Sequence, residues 1–225
     1  MNEYISKQIA VVKNDRALIE FRDKLKVASL SNYAHIHADG EETDSEIKRT
    51  SLIGILMTDY SKGTGKNAQT VQANISPDEV RFLFSRLKAG FPSVNFRQEK
   101  IFGTPDAKGY SQVTMLQIVR AETDRKGNER KLPWYVEIVN GQGIAVKNAK
   151  GGTYMKANSF KEANSIKVFK NLSDLEMYKL LGRTDAYIDA WEKAIAPSLI
   201  TQAKKALQAA QETQHPTTEI SSGAA

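Results

Sequence analysis

Residues 74–87 read NISPDEVRFLFSRL and residues 171–184 read NLSDLEMYKLLGRT, and the two align without a gap. Asn, Ser, Glu, Leu and Arg recur at matching places. In each copy the serine, Ser76 or Ser173, stands where a helix N-cap belongs, and Glu79 or Glu176 follows three residues later to complete a capping box. The apolar residue before each cap, Ile75 or Leu172, is placed to staple against Val80 or Met177. Pro77 suits a first helical position. The chain therefore starts two helices by one design, the mark of an internal repeat.

Beyond those starts, Val80, Leu83, Phe84 and Leu87 fall on one helical face, as do Met177, Leu180, Leu181, Ile188 and Trp191. Both stripes read as core. Upstream of each helix the period changes to that of strands. In the second half, YSQVTMLQIVRAETD, a charged turn at DRKGNERK, WYVEIVNGQGI and SIKVFKN read as successive antiparallel strands. In the first half, YAHIHADG, a polar turn at EETDSE, IKRTSLIGILMTDY and NAQTVQANIS take the same parts. DRALIEFRDKLK reads as an extra short helix, and NAKGGTYMKANSFKEANS as an insertion in the second half. The last helix is expected to reach Pro197, with a further amphipathic turn or two beyond it and a disordered tail at HPTTEISSGAA.

The fold class that follows is α+β: two pseudo-equivalent antiparallel sheets, each followed by a helix, forming an intramolecular pseudo-dimer. Residues 1–92 make the first repeat and residues 93–196 the second. Residues 197–225 make a C-terminal extension.

The chain has 225 residues, 40% of them hydrophobic, enough for a sizeable core. With no cysteine, disulfides, thiol chemistry and cysteine-ligated metal sites are excluded. No apolar run approaches the roughly 20 residues that span a bilayer, and the N-terminus lacks a signal-peptide pattern, so the expectation is a soluble, cytoplasmic protein. The net charge is +6, and it is regional: residues 94–170 hold 14 Lys and Arg against 7 Asp and Glu. A local positive field favours a polyanion.

TDYSKGTGKNAQT, residues 58–70, raises the question of a nucleotide site. A P-loop needs four residues between its first glycine and Gly-Lys-Ser/Thr, then a helix. Here one residue separates Gly63 from Gly65-Lys66-Asn67, and a strand pattern follows, so the stretch reads as a glycine-rich hairpin carrying Lys62 and Lys66. His35, His37 and Asp39 alternate as the opening of a metal site would, but the remaining histidine, His215, falls in the tail and no ligand set is completed. A ligand-facing or solvated strand is the preferred reading. No GxSxG elbow is present, and NGQG at residues 140–143 reads as a hairpin turn rather than a dinucleotide loop. No enzyme is indicated, and no cofactor or metal.

The basic residues carry the functional signal. Residues 147–170 hold six lysines against one acid, Glu162, interleaved with Tyr154, Phe160 and Phe169. Lysines neutralise a phosphate backbone and aromatics stack on bases, the composition of a single-strand binder. A second cluster, Arg125, Lys126, Arg130 and Lys131, leads into Trp134 and Tyr135, which as strand neighbours face opposite sides, so at least one of them is expected in the core. The candidate contacts are Lys62, Lys66, Arg120, Arg125, Lys126, Arg130, Lys131, Trp134, Lys147, Lys150, Tyr154, Lys156, Phe160 and Lys161.

From about residue 33 to residue 191, this order of elements resembles the single-stranded-DNA-binding superfamily of the Whirly proteins, positive cofactor four and the purine-rich-element-binding proteins. Lys62-Gly63-Thr64-Gly65-Lys66 echoes the Whirly lysine-glycine-lysine motif without matching it. The resemblance implies paired units of about four strands and a helix, and a non-enzymatic, largely sequence-independent single-stranded-DNA-binding protein of replication, recombination or mobile-element transfer. The alternatives are an RNA-binding regulator and a protein-interaction or inhibitor module. Expected partners are single-stranded DNA or RNA, a further copy of the chain, and replication or recombination proteins, with no membrane.

Overall fold

A computed structural model describes residues 5–42 and 48–214. The architecture is mixed α+β, with antiparallel sheets and a long C-terminal helix. In chain order the strands are β1 (Gln8–Lys13), β2 (Ala17–Lys24), the short pair β3 (Glu41–Glu42) and β4 (Lys48–Arg49), β5 (Leu52–Asp59) and β6 (Gln69–Ile75). Helix α1 (Pro77–Lys88) follows, then β7 (Ser93–Phe102), β8 (Tyr110–Ala121), β9 (Trp134–Lys147), β10 (Thr153–Met155), β11 (Ile166–Leu172) and α2 (Asp174–Gln214). The chain divides into two compact units, one of residues 1–24 and 52–188 and one of residues 25–51 and 189–225.

The larger unit contains two sheets built on one plan. The first has the order β1-β2-β5-β6. In the second, β7, β8 and β9 are neighbours, and β9 pairs with β11 along its first half and with β10 at its far tip. Corresponding positions pair in the two ladders, although β1–β2 carries a register shift between Gln8 and Ala10 that β7–β8 lacks. Ala17 faces Asp59 and Asp59 faces Gln69; in the second sheet Thr114 faces Asn140 and Asn140 faces Ile166. At the other end Ile53 pairs with Ile75 and Trp134 with Leu172, all four wholly buried, and the caps Ser76 and Ser173 follow directly. Both capping boxes form. The Ser76 hydroxyl accepts from Glu79 N–H while Ser76 N–H donates to the Glu79 carboxylate, and Ser173 and Glu176 exchange the same pair of bonds.

Helices α1 and α2 then lie side by side. Arg81 pairs with Asp185 at 3.4 Å, Phe84 meets Tyr178 edge-on at 5.4 Å, and a Cβ on Gly182 would come within 3.2 Å of the Phe84 ring. Strand β6 is the last in its sheet, so its outward N–H and C=O groups need partners. The second sheet supplies them. Asn140 accepts from Gln72 N–H at 2.8 Å and donates back to Gln72 C=O at 2.9 Å, and Lys100 donates to Asn74 C=O at 3.1 Å. Burial lowers the Lys100 pKa.

Several expectations are corrected. DRALIEFRDKLK is a strand over Ala17–Lys24, not a helix, because Ala17, Ile19 and Phe21 alternate into the core and the Asn14 side chain closes a tight turn from β1. YAHIHADG is not a strand: residues 30–35 form a 3-10 turn and Ile36 takes a φ of 60°, which removes the alternation that set His35, His37 and Asp39 on one side. NGQG is not a turn, since β9 runs straight through it. Its glycines serve close packing instead: a Cβ at Gly141 would lie 2.7 Å from the Phe160 ring, and one at Gly143 would lie 2.6 Å from Met155 Sδ. Helix α2 passes through Pro197 without ending, in a stretch rich in Ala, Lys, Gln and Leu, with Leu199 and Ala203 buried beyond the proline. The tail expected to be disordered, with His215, lies outside the described residues.

In the smaller unit His37 stacks on Trp191 at 4.8 Å, with Nε2 2.9 Å from Glu192 Oε1 and Nδ1 2.8 Å from Ser51 Oγ. Ser51 is 3% exposed and its hydroxyl also accepts from Lys26 N–H. The serine hydroxyl therefore links the backbone at Lys26 to the His37 ring.

The Asn140 bonds can be tested with an isosteric change. Asn140→Asp keeps the acceptor for Gln72 N–H but sets an oxygen against Gln72 C=O, so urea unfolding should show a loss of about 1 kcal/mol. An unchanged midpoint would mean that this contact contributes nothing to stability.

Candidate nucleic-acid interface

Three hairpin tips in the second sheet repeat one tetrapeptide pattern, Asp or Asn, any residue, Lys, Gly. They are DAKG at residues 106–109, DRKG at 124–127 and NAKG at 148–151. All three have the same backbone. The first residue's C=O accepts from the glycine N–H at 2.9, 3.1 and 3.0 Å, and the glycines take φ of 81°, 84° and 80°, which favours glycine. The side-chain oxygen of Asp106, Asp124 or Asn148 accepts from the lysine N–H and from the N–H two residues further on. The Tyr110 and Lys108 amides hold the Asp106 carboxyl below the usual carboxylate range, and Asn128, through its side chain first, does the same for Asp124. Each tip thereby presents an exposed lysine, Lys108, Lys126 or Lys150, from a fixed turn.

The tips divide between two ends of the sheet. β9 carries the 122–133 hairpin at its start and the 148–165 crossing at its finish, about 40 Å apart at roughly 3.3 Å per residue. The two basic clusters read from the sequence are therefore not one patch. Arg125, Lys126, Arg130 and Lys131 are exposed at the near end, among the acids Glu122, Asp124 and Glu129. The far end gathers Lys147, Lys150 and Lys156, all exposed, with Lys108, and Lys161 sits 3.2 Å above the Tyr110 ring. Two half-exposed aromatics, Tyr154 and Phe102, stand with them.

Two of the expected contacts belong to the core instead. Trp134 is wholly buried, and its indole N–H donates to Asp174 at 2.7 Å. Arg120, 8% exposed, forks onto Asp174 with two bonds of 3.0 Å and also reaches Phe91 C=O and Glu122. These groups pin the first turn of α2 to β8 and β9, where a carboxylate also complements the helix dipole. Their polar groups are thus engaged within the chain. Phe160 is half-buried against Gly141, packing rather than offering a face. Lys62 and Lys66 are exposed on the connection between β5 and β6, where Gly65–Asn67 forms a single 3-10 turn and a strand follows, the opposite of a P-loop. That connection starts after Asp59, the ladder equivalent of Asn140, so it corresponds to the 141–165 segment.

Lys108 and Phe102 were not foreseen. The signal for Lys108 was present in the tetrapeptide repeat; for Phe102 there was none, since its exposure depends on where β7 ends. Comparison with known protein families, characterised proteins and solved structures finds no match to this chain. Among the described residues no helix is long and apolar enough to cross a membrane.

The Asp174 network sets a pH test. The Arg120 guanidinium, helped by Trp134, holds the Asp174 carboxyl below its ordinary value. A depressed carboxyl contributes stability that is present above its unfolded pKa of about 3.9 and lost as pH falls through the folded value. The stability gap between wild type and Asp174→Asn should be full at neutral pH and shrink below about pH 4. A gap that stays constant down to the lowest pH at which both variants fold would contradict this pairing.

Proposed function

We propose that the larger unit is an internal pseudo-dimer that binds single-stranded DNA with little regard to sequence, and that it does so without catalysis. The matched ladders, the twin capping boxes and the side-by-side helices support the pseudo-dimer: in repeat numbering Arg81 meets the equivalent of Lys88, and Phe84 the equivalents of Arg81 and Ser85. Contacts of that kind run antiparallel, which is compatible with a twofold axis between the repeats.

The observation that carries the binding reading is the far end of the second sheet. There four exposed lysines, at positions 108, 147, 150 and 156, stand beside two half-exposed aromatics, with Asp106 and Glu162 as the acids of those loops. Asp106 is taken up by backbone amides. Charge for phosphates beside rings for bases is what a single strand needs. In the pseudo-dimer, Lys62 and Lys66 occupy the matching place on the first sheet. The biological setting proposed is replication, recombination or mobile-element transfer.

Replacing Lys147, Lys150 and Lys156 together by alanine should weaken all single strands alike and flatten the log-log salt dependence by roughly 0.7 for each lysine–phosphate pair removed. Tyr154→Ala should cost about 1 to 3 kcal/mol with little change in slope. An Arg130→Ala/Lys131→Ala variant, at the other end of β9, serves as the control and should leave the slope in place. If the folded triple variant binds oligo-dT with unchanged affinity and slope, the far end is only a solvated surface. Tighter binding of oligo-U than of oligo-dT would favour an RNA-binding role.

A further inference from the structure

Where the outer side of β6 meets the far part of the second sheet, within the larger unit, there is an open cleft of about 550 Å³. That lies within the roughly 300–1,000 Å³ of small-molecule sites. Ladder register arranges its floor in rows. Lys100, Thr114 and Asn140 form one row across β7, β8 and β9, and Phe102, Gln112 and Gln142 form the next, two residues on and on the same face. The first row is occupied in closing the edge of β6. The second is not.

Among the described residues, no intramolecular hydrogen bond takes up the side-chain amides of Gln112, Gln142, Gln72 or Asn164, all of which line this cleft. No Asp or Glu lines it, and its one cation, Lys100, is engaged on Asn74 C=O. The cleft is thus poorly suited to a metal ion or a phosphate. Carboxamides each offer donor and acceptor, which is the complement of a base edge, and the half-exposed Phe102 ring at the rim offers a surface for stacking. The tip that carries Lys108 begins directly after β7, and Lys147 lies on the same strand as Gln142.

We propose that this cleft receives one unpaired nucleobase of a strand whose phosphates lie on the far-end lysines. The inference rests on the single-strand reading above and adds a base-contacting site to it. Any sequence preference the protein has arises here, since lysines read only the backbone.

The test compares oligo-dT, oligo-dA and oligo-U with an abasic strand of equal length, for wild type and for Gln112→Leu/Gln142→Leu. The double variant should bind each base-bearing strand about tenfold more weakly while its affinity for the abasic strand and its salt slope are unchanged. Oligo-U against oligo-dT separates the RNA from the DNA source of the base. In wild type, the Gln112 and Gln142 side-chain amide resonances should shift with oligo-dT and stay in place with the abasic strand. Equal losses on base-bearing and abasic strands, or no loss together with unmoved resonances, would overturn the cleft and leave single-strand binding standing. Failure of wild type to bind any of the four strands would overturn both.

Discussion

The open edge of β6 is the constraint around which the larger unit is organised. A final strand cannot leave its amides and carbonyls unpaired where a second sheet approaches, and no further strand of its own sheet is available. Asn140 solves this by acting as a piece of backbone, giving one donor and one acceptor to Gln72, while Lys100 caps Asn74. Fixing β6 in this way also fixes what comes next in the chain. Ile75 is buried, Ser76 turns the chain, and α1 starts beside the helix that Ser173 starts in the same manner.

The order of interactions explains which parts could be read in advance. Capping boxes are local, made by residues three apart, so both helix starts were legible to the residue. Strands β6, β8, β9 and β11 were visible from their alternation, and β5 from its continuous apolar run. Strand β2 was misread because Leu18, Phe21 and Leu25 also suit a helical face, and only pairing with β1 and β5 decides between the two periods. The glycines at 141 and 143 look like turn residues in isolation. Their reason lies across space, in Phe160 and Met155.

The same division holds for the candidate interface. Charge is additive along a sequence, so a basic second half was plain, but its separation into two ends of one long strand follows from the length of β9. Burial cannot be read from residue type alone: Trp134 and Arg120 have the chemistry of nucleic-acid contacts and spend it on Asp174. Conversely, glutamine and asparagine attract little attention in a sequence. Their convergence on one cleft requires the register of three strands.

In this account the near end of β9 stabilises and the far end binds, an asymmetry that a cross-linking map reads directly. A photoreactive iodo-deoxyuridine strand, cross-linked to the full chain and analysed by peptide mass spectrometry, should attach to the segments 102–110 and 140–161. Cross-links confined to the 122–133 hairpin, or to residues outside the larger unit, would contradict it.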